Sequence, residues 1–237
     1  MGSSFDFKQF SIRQERSALK VGTDAVVLGA AMTLLGSERR LLDIGTGTGV
    51  IALMAAQRLS GRADFHITGI DIDGPSAAEA AANFAASPWP SALEARGIPL
   101  QEYIPDGEID LVFSNPPFYD DSLHNPDPRE STARHTESLS FRDICAFCAE
   151  NLTPEGRLSL ILPCDCRVQL VRTAASFGLH PFRLLTIRTT AAKAPRRLVA
   201  EFSRRRTEQP REDSLILQDG ASRTPEYAAL TENFYLY

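Results

Sequence analysis

Residues 40–59 constrain the fold of this chain more than any other stretch. Arg40-Leu41-Leu42-Asp43-Ile44 reads as an apolar strand with one acid near its carboxyl end. Gly45-Thr46-Gly47-Thr48-Gly49 follows as a turn, and Val50 to Leu59 is a helical run stopped near Gly61. Strand, glycine turn and helix in direct succession form a nucleotide-type binding unit of an α/β fold, because glycine permits both a tight turn and close approach of backbone to a ligand. The spacing is not the Gly-x-Gly-x-x-Gly that faces a pyrophosphate, and no Gly-Lys-Ser/Thr follows, which argues against a P-loop.

The units that come next extend the same pattern. His66 to Ile70 is a second strand ending at Asp71, 22 residues after Gly49, where an acid can bind a ribose diol; Asp73 is the competing choice. An alanine-rich helix runs from Ser76 to Phe84, its start delayed by Gly74-Pro75, and Ala92 to Ala95 is a short third strand. Leu111-Val112-Phe113 then enters Ser114-Asn115-Pro116-Pro117-Phe118-Tyr119. Two prolines fix φ and remove amide donors, so the strand ends in a stiff bend. Asn115 offers a carbonyl and an amide, the Pro116 carbonyl is free to accept, and Phe118 has a ring face: the parts needed to hold a flat group carrying an NH2. Asn-Pro-Pro alone also reads as an ordinary loop beside a core Phe; the glycine turn upstream favours the functional reading.

Further along, a polar stretch from Asp120 to Thr136 reads as a loop over the site, and a helix follows, capped by Ser138 or Ser140 and ending between Leu152 and Gly156. Leu158 to Leu162 is a buried strand, and Val168 to Phe177 a helix closed by Gly178. Leu179 to Thr190 and Arg197 to Arg205 are two antiparallel strands finishing a mostly parallel sheet. Near the amino terminus, Phe7 to Ile12 is an edge strand or strap, and a helix capped by Thr23 or Asp24 reaches Leu35 before Gly36 stops it. At 237 residues the chain is long enough for one core. We expect one domain over 1–237, with a strap and helix in 1–36, a core in 37–209 and an extension in 210–237 that straps across it.

No apolar run reaches the roughly 18 residues of a membrane span, and no exported leader is expected. Cys145, Cys148, Cys164 and Cys166 form two close pairs, but nothing requires them to meet at a metal, and none is expected. The net charge of −5 hides an asymmetry: from Arg183 to Arg211 there are nine basic residues against two acidic ones. Such a run can attract phosphates, or can simply be a solvated face.

The glycine turn, Asp71 and Asn115-Pro116-Pro117-Phe118 occur in the order of a class I S-adenosylmethionine-dependent methyltransferase. With Phe7-Lys8-Gln9-Phe10, Lys20-Val21-Gly22-Thr23-Asp24, Ala133-Arg134-His135, Leu139-Ser140-Phe141, Pro154-Glu155-Gly156 and Arg196 to Phe202, the chain resembles the bacterial tRNA1(Val) adenine-37 N6-methyltransferase family over most of residues 5–206. The resemblance implies a Rossmann-like sheet with helices on both faces and a terminal antiparallel hairpin. It implies S-adenosylmethionine held by Thr23, Gly45, Gly47, Gly49 and Asp71, with Asp43 holding the turn or the methionine ammonium. Asn115 and the Pro116 carbonyl would grip the target amine and Phe118 would stack on its base. Pro117, Arg134, His135, Arg196 and Arg197 would face the substrate, a tRNA, in a monomeric cytoplasmic enzyme. One departure stands out: Ala95-Arg96-Gly97-Ile98-Pro99-Leu100 lacks the acid that members often place near the cofactor adenine. The competing readings are a protein-glutamine methyltransferase, a DNA adenine methyltransferase, and an RNA-binding module without catalysis.

Overall fold

The structure, a computed structural model, describes residues 4–62, 64–116 and 139–236. Its centre is an eight-stranded sheet built from β3 (Arg40–Ile44), β4 (His66–Ile70), β5 (Leu93–Arg96), β6 (Ile109–Ser114), β7 (Leu152–Pro163), β8 (His180–Arg188), β9 (Arg197–Ser203) and β10 (Arg211–Ile216). The strands lie in the order β10-β8-β9-β7-β6-β3-β4-β5. The five from β7 to β5 are mutually parallel, β9 is antiparallel to both neighbours, and β10 runs parallel to β8. The expected hairpin is therefore present as β8 and β9, and the sheet continues by one strand beyond it. That strand is hard to see in sequence because it is an edge: Leu215 is its one buried apolar side chain, and polar residues precede it.

Strand residues alternate between two cores, as a sheet covered on both faces requires. Leu41, Leu111, Phe113, Ile161 and Val199 pack into one core, and Leu42, Val112, Leu160, Leu162 and Ala200 into the other. Helices α1 (Thr23–Ala31), α2 (Val50–Leu59) and α3 (Gly74–Ala85) contribute to the first, and α4 (Phe141–Asn151) and α5 (Arg167–Ser176) to the second. Cys145 and Cys148 are core residues of α4, where burial pushes the Cys145 thiol up to about 12.

Local chemistry sets the helix ends. Asp73 caps α3 by accepting from the Ser76 amide and hydroxyl at 2.9 and 2.6 Å, and Ser140 with Asp143 forms a reciprocal capping box on α4. Helix α4 stops at Asn151 and β7 begins at once, so the Leu152–Gly156 stretch is strand rather than helix end. Helix α1 differs from expectation at both ends. Neither Thr23 nor Asp24 caps it, since Gly22 is the cap without a side-chain bond, and it stops at Ala31 rather than Leu35. The cause is a buried cluster at its carboxyl end. Arg58 donates to the carbonyls of Gly29 and Met32, Arg183 to that of Ala31 and Arg157 to that of Thr33, while the Thr33 amide and hydroxyl are taken by the Glu201 carboxylate. Glu201 also accepts from Ser159 Oγ at 2.8 Å and from Arg183 at 2.9 Å, and it is fully buried. Once those carbonyls and that amide are claimed by side chains, the helix cannot propagate.

The two termini meet. A short hairpin of β1 (Ser4–Asp6) and β2 (Ser11–Arg13) packs Phe7 against Tyr235, with ring centroids 6.1 Å apart. The Lys8 amide and ammonium donate to the carbonyls of Phe234 and Glu232, and Gln57 donates to that of Asn233. After β10 come β11 (Gln218–Asp219), β12 (Ser222–Arg223) and helix α6 (Pro225–Thr231), which packs against α1 and β10. Among the described residues, no helix is long and apolar enough to cross a membrane.

Candidate active site

The chain winds outward from β3 through β4 to β5, then returns to lay β6 on the other side of β3. Ligands in such sheets bind where the order reverses, outside the carboxyl ends of the strands. Here that crevice lies between the exits of β3 and β6. Ser114, the last residue of β6, donates its buried hydroxyl to the Ile44 carbonyl at 2.6 Å and so fixes the two exits to each other. Its importance is not visible in sequence, because a serine at a strand end has no signature of its own.

Below the crevice, Asp43 is fully buried; its Oδ2 accepts from Thr46 Oγ1 at 2.8 Å, closing the turn onto the strand. Its Oδ1 has no hydrogen bond of good geometry among the described residues. Burial pushes this carboxyl up to about 7; the Thr46 bond and the nearby Ala52 amide oppose the shift, and the Asp71 charge adds to it. The amides of Gly45 and Thr46 donate to the Ile70 carbonyl at 2.8 and 2.9 Å, which seats the turn on the end of β4. Asp71 follows immediately. Its Oδ2 accepts from the Gly47 amide at 2.8 Å and its Oδ1 from the Asp73 amide at 2.9 Å. Burial raises its pKa; those two amides oppose this, and the Asp73 charge adds to it. Asp73 itself spends one oxygen on the α3 cap.

A cavity of about 560 Å³ opens over these groups, within the range of roughly 300–1,000 Å³ usual for small-molecule sites. Gly45, Gly47, Asp71 and Asn115 all line it. Gly45 and Gly47 have φ of +70° and +54°, and a Cβ on either would meet no heavy atom within 4 Å, so both the turn and the open space depend on glycine. Gly49 has another reason to be glycine. A Cβ there would sit 2.4 Å from the Phe84 ring, so it permits α2 and α3 to pack closely and does not line the cavity.

Two walls of this cavity come from segments the motifs do not include. Leu100–Glu102 is a short 3-10 turn after β5, and its Gln101 and Glu102 line the cavity just beyond the segment that lacks an acid. Ala18 and Leu19, which also line it, belong to a strap that follows β2. Glu79 of α3 holds it: Oε1 accepts from the amides of Glu15 and Arg16 at 2.7 and 3.0 Å, and Oε2 from that of Ser17 at 2.8 Å. Burial alone would raise the Glu79 pKa; the Ser17 hydroxyl and these three amides together bring it below the usual value, although that hydroxyl makes no bond of good geometry itself. One turn on, Asn83 exchanges hydrogen bonds with the Arg13 backbone and donates to the Thr48 carbonyl. Two buried polar residues four apart in an alanine-rich helix were the available signal for this contact.

Other expected site residues lie elsewhere. Thr23 does not line this cavity but a second one, with Asp24, Arg196 and Arg197. Arg197 Nε donates to Asp24 at 2.6 Å, and Arg196 is exposed. Pro116 is buried behind Asn115, while Pro117, Phe118, Arg134 and His135 lie outside the described residues. The basic run does not form one field. Arg183 is held by Glu201 and Asp213, Arg204 donates to the Ala149 and Leu152 carbonyls, and Arg205 pairs with Glu155. Because β9 runs about 20 Å from Arg197 to Ser203, Arg204 to Arg206 lie at the far end of that strand from Arg196, and at the opposite edge of the sheet from Asn115.

Comparison with known proteins agrees with this geometry. The family model described as Methyltransferase small domain matches residues 16–164. Among solved structures, a predicted O-methyltransferase from Agrobacterium tumefaciens superposes with a TM-score of 0.62 at 19% identity, covering 91% of this chain and 98% of that one. A putative class I S-adenosylmethionine-dependent methyltransferase from Listeria monocytogenes gives a TM-score of 0.60 at 14% identity, over 89% and 72% of the two chains. These establish the fold. Sequence relatives are nearer. The tRNA1(Val) (adenine(37)-N6)-methyltransferase of Porphyromonas gingivalis is 42% identical, over 98% of this chain and 94% of its own. That of Parabacteroides distasonis is 39% identical, over 98% and 97%. Identity at this level along nearly the whole of both chains places this protein in the tRNA1(Val) (adenine(37)-N6)-methyltransferase family.

Proposed function

We propose that this chain transfers a methyl group from S-adenosylmethionine to the exocyclic N6 of adenosine 37 in a valine tRNA, acting as a monomer in the cytoplasm. The observation that carries the reading is that Asn115 and the Gly45–Gly47 turn open onto one cavity at the exits of adjacent strands. The names of the relatives at 39% and 42% identity support the substrate.

The residues present fit the cofactor. The missing side chains of Gly45 and Gly47 leave room directly over the turn, and each Asp71 oxygen keeps a lone pair for a ribose hydroxyl after accepting its amide. Asp43 braces the turn through Thr46 and sets a carboxyl beneath the place a cationic ligand would occupy. Gly49 contributes by letting α2 start where it does, and Glu102 is the displaced acid at the adenine end. When bound, S-adenosylmethionine supplies an electrophilic methyl on a sulfonium.

What the protein adds is aim. An adenine NH2 is a poor nucleophile because its lone pair is delocalised into the ring. The Asn115 side-chain carbonyl and the Pro116 backbone carbonyl accept its two hydrogens, which turns the lone pair toward the incoming carbon. The N–C bond would form as the donor's S–CH3 bond breaks, the electron pair leaving with sulfur as a neutral thioether, and the nitrogen would shed one proton to water; Asn115 stays neutral throughout and no strong base is needed. Phe118 stacks on the base, an interaction worth roughly 1–3 kcal/mol, and the adenosine leaves its own stack to reach it. Pro117, Arg134 and His135 contact the loop around the target, and Arg196 and Arg197 the strand beyond. Thr23, on the second cavity, belongs to that RNA side.

The test is incubation of the protein with methyl-labelled cofactor and unmodified total tRNA, followed by nucleoside mass spectrometry and mapping of the label. N6-methyladenosine at position 37 of a valine tRNA is expected, with turnover lost and cofactor affinity kept in Asn115→Ala. Label in another nucleoside or in protein, or full turnover in the variant, would overturn the assignment.

A further inference from the structure

The second cavity, of about 440 Å³, is not needed to hold either the methyl donor or the reacting adenine. It opens on the same edge of the sheet. Ser114 pairs with Leu160 of β7, and the last residue of that strand, Pro163, faces Arg197 at the start of β9. With strands spaced about 4.8 Å apart, the cavity begins roughly 10 Å from the Asn115 exit.

Its chemistry is that of a site for one nucleotide. Arg196, Arg197 and Arg223 line it, and among the described lining residues the acid is Asp24, which is bonded to Arg197. Ile187 and Leu217 give it apolar surface, and Gln218 gives it an amide able to donate and accept. Arg223 lies over the Tyr235 ring, 4.1 Å from its centroid, and Phe7 is nearly parallel to the same ring at 13°. That stack fixes a guanidinium plane at the cavity wall, a surface on which a base can stack.

Its position in the chain is equally telling. The matched methyltransferase domain ends at residue 164, and apart from Thr23 and Asp24 every lining residue comes after it. The cavity is thus an addition to the shared catalytic unit, made by β8, β9 and the tail.

We infer that this cavity binds a nucleotide flanking the methylated adenosine, with its phosphate on Arg196 and its base against Arg223 and Gln218. The inference rests on the RNA reading given above. It explains why the tail is built into the domain, and why Thr23 and Asp24 at the start of α1 face away from the cofactor cavity.

Filter binding with an anticodon stem-loop RNA tests it, using wild type, Arg196→Ala and Arg223→Ala, each against the intact loop and loops carrying one abasic nucleotide on either side of the target. Arg196→Ala should weaken binding about tenfold and reduce the slope of log K against log salt by nearly one, with affinity for S-adenosylhomocysteine unchanged. Arg223→Ala and one of the abasic loops should each weaken binding, and combining them should cost no more than either alone. Arg223→Lys, which keeps charge without the planar face, controls for loss of the positive charge and should behave like Arg223→Ala toward the abasic loop. An unchanged salt slope in Arg196→Ala, or additive losses for every abasic position, would overturn the inference. Because binding is read separately from methylation, a protein that shows this coupling but leaves adenosine 37 unmethylated would sink the proposed function and keep the subsite.

Discussion

Replacing Glu79 by Gln should loosen the strap that walls the cofactor cavity while leaving the rest of the molecule intact. The wild-type carboxylate, 6% exposed, accepts from three successive amides. Hydrogen bonds to charged groups contribute about 1.5–3 kcal/mol each and are not additive. Gln retains a carbonyl for Glu15 and Arg16 but turns an NH2 toward the Ser17 amide, so one charged bond is lost and two weaken. A cost of about 3 kcal/mol makes local opening on the order of 100-fold more frequent. Hydrogen exchange should therefore speed up about 100-fold at Glu15, Arg16 and Ser17, with little change in β3 or β6. Cofactor affinity, measured by calorimetry, should fall only by the fraction of molecules left open, a few-fold at most. The pH dependence has a definite sign. Since the folded pKa of Glu79 is below the ordinary 4.5, its contribution is complete above that value and disappears as pH falls through the folded pKa, whereas the Gln variant lacks this dependence. Equal exchange of these three amides in wild type and variant at neutral pH would refute the reasoning.

Glu201→Ala removes a buried carboxylate from three buried or half-buried partners, Thr33, Ser159 and Arg183, and should cost about 3–5 kcal/mol, a fall in Tm of about 6–10 °C for a chain of 237 residues; a scanning-calorimetry shift below about 2 °C would contradict it. Asp43, with its folded pKa raised from 3.8 to about 7, keeps a proton that the unfolded chain releases, so the ligand-free protein loses stability as pH rises across that window. Asp43→Asn should gain in Tm relative to wild type between pH 5 and pH 8, and a constant difference would show that this carboxyl titrates normally.

How far the sequence discloses the molecule depends on whether a residue acts through its neighbours in the chain or through partners far along it. Gly45, Gly47 and Asn115 were legible because turn geometry and proline restriction are local, and the structure brings all three to one cavity. Asp71 was legible by its spacing from the turn. Glu79 and Glu201 were not, since their partners lie 62 to 64 and 18 to 168 residues away. The basic run misled for the same reason: adjacent arginines on a strand and beyond its end reach opposite edges of a sheet, and Arg183 turns inward to Glu201. Thr23 was assigned to the cofactor by resemblance, yet the path of α1 carries it to the second cavity.

The joining of the two ends has a consequence in time. Lys8 leaves the ribosome 224 residues before Glu232, the carbonyl it holds, and at about 5–20 residues per second that interval is on the order of ten to forty-five seconds. During it, Phe7 has no Tyr235 to cover it and the opening hairpin lacks its clasp. A nascent chain can thus complete its glycine turn and its Asn115 exit long before its first residues find their partners, so newborn molecules pass through a stage with the catalytic crevice formed and an aromatic flank bare to solvent.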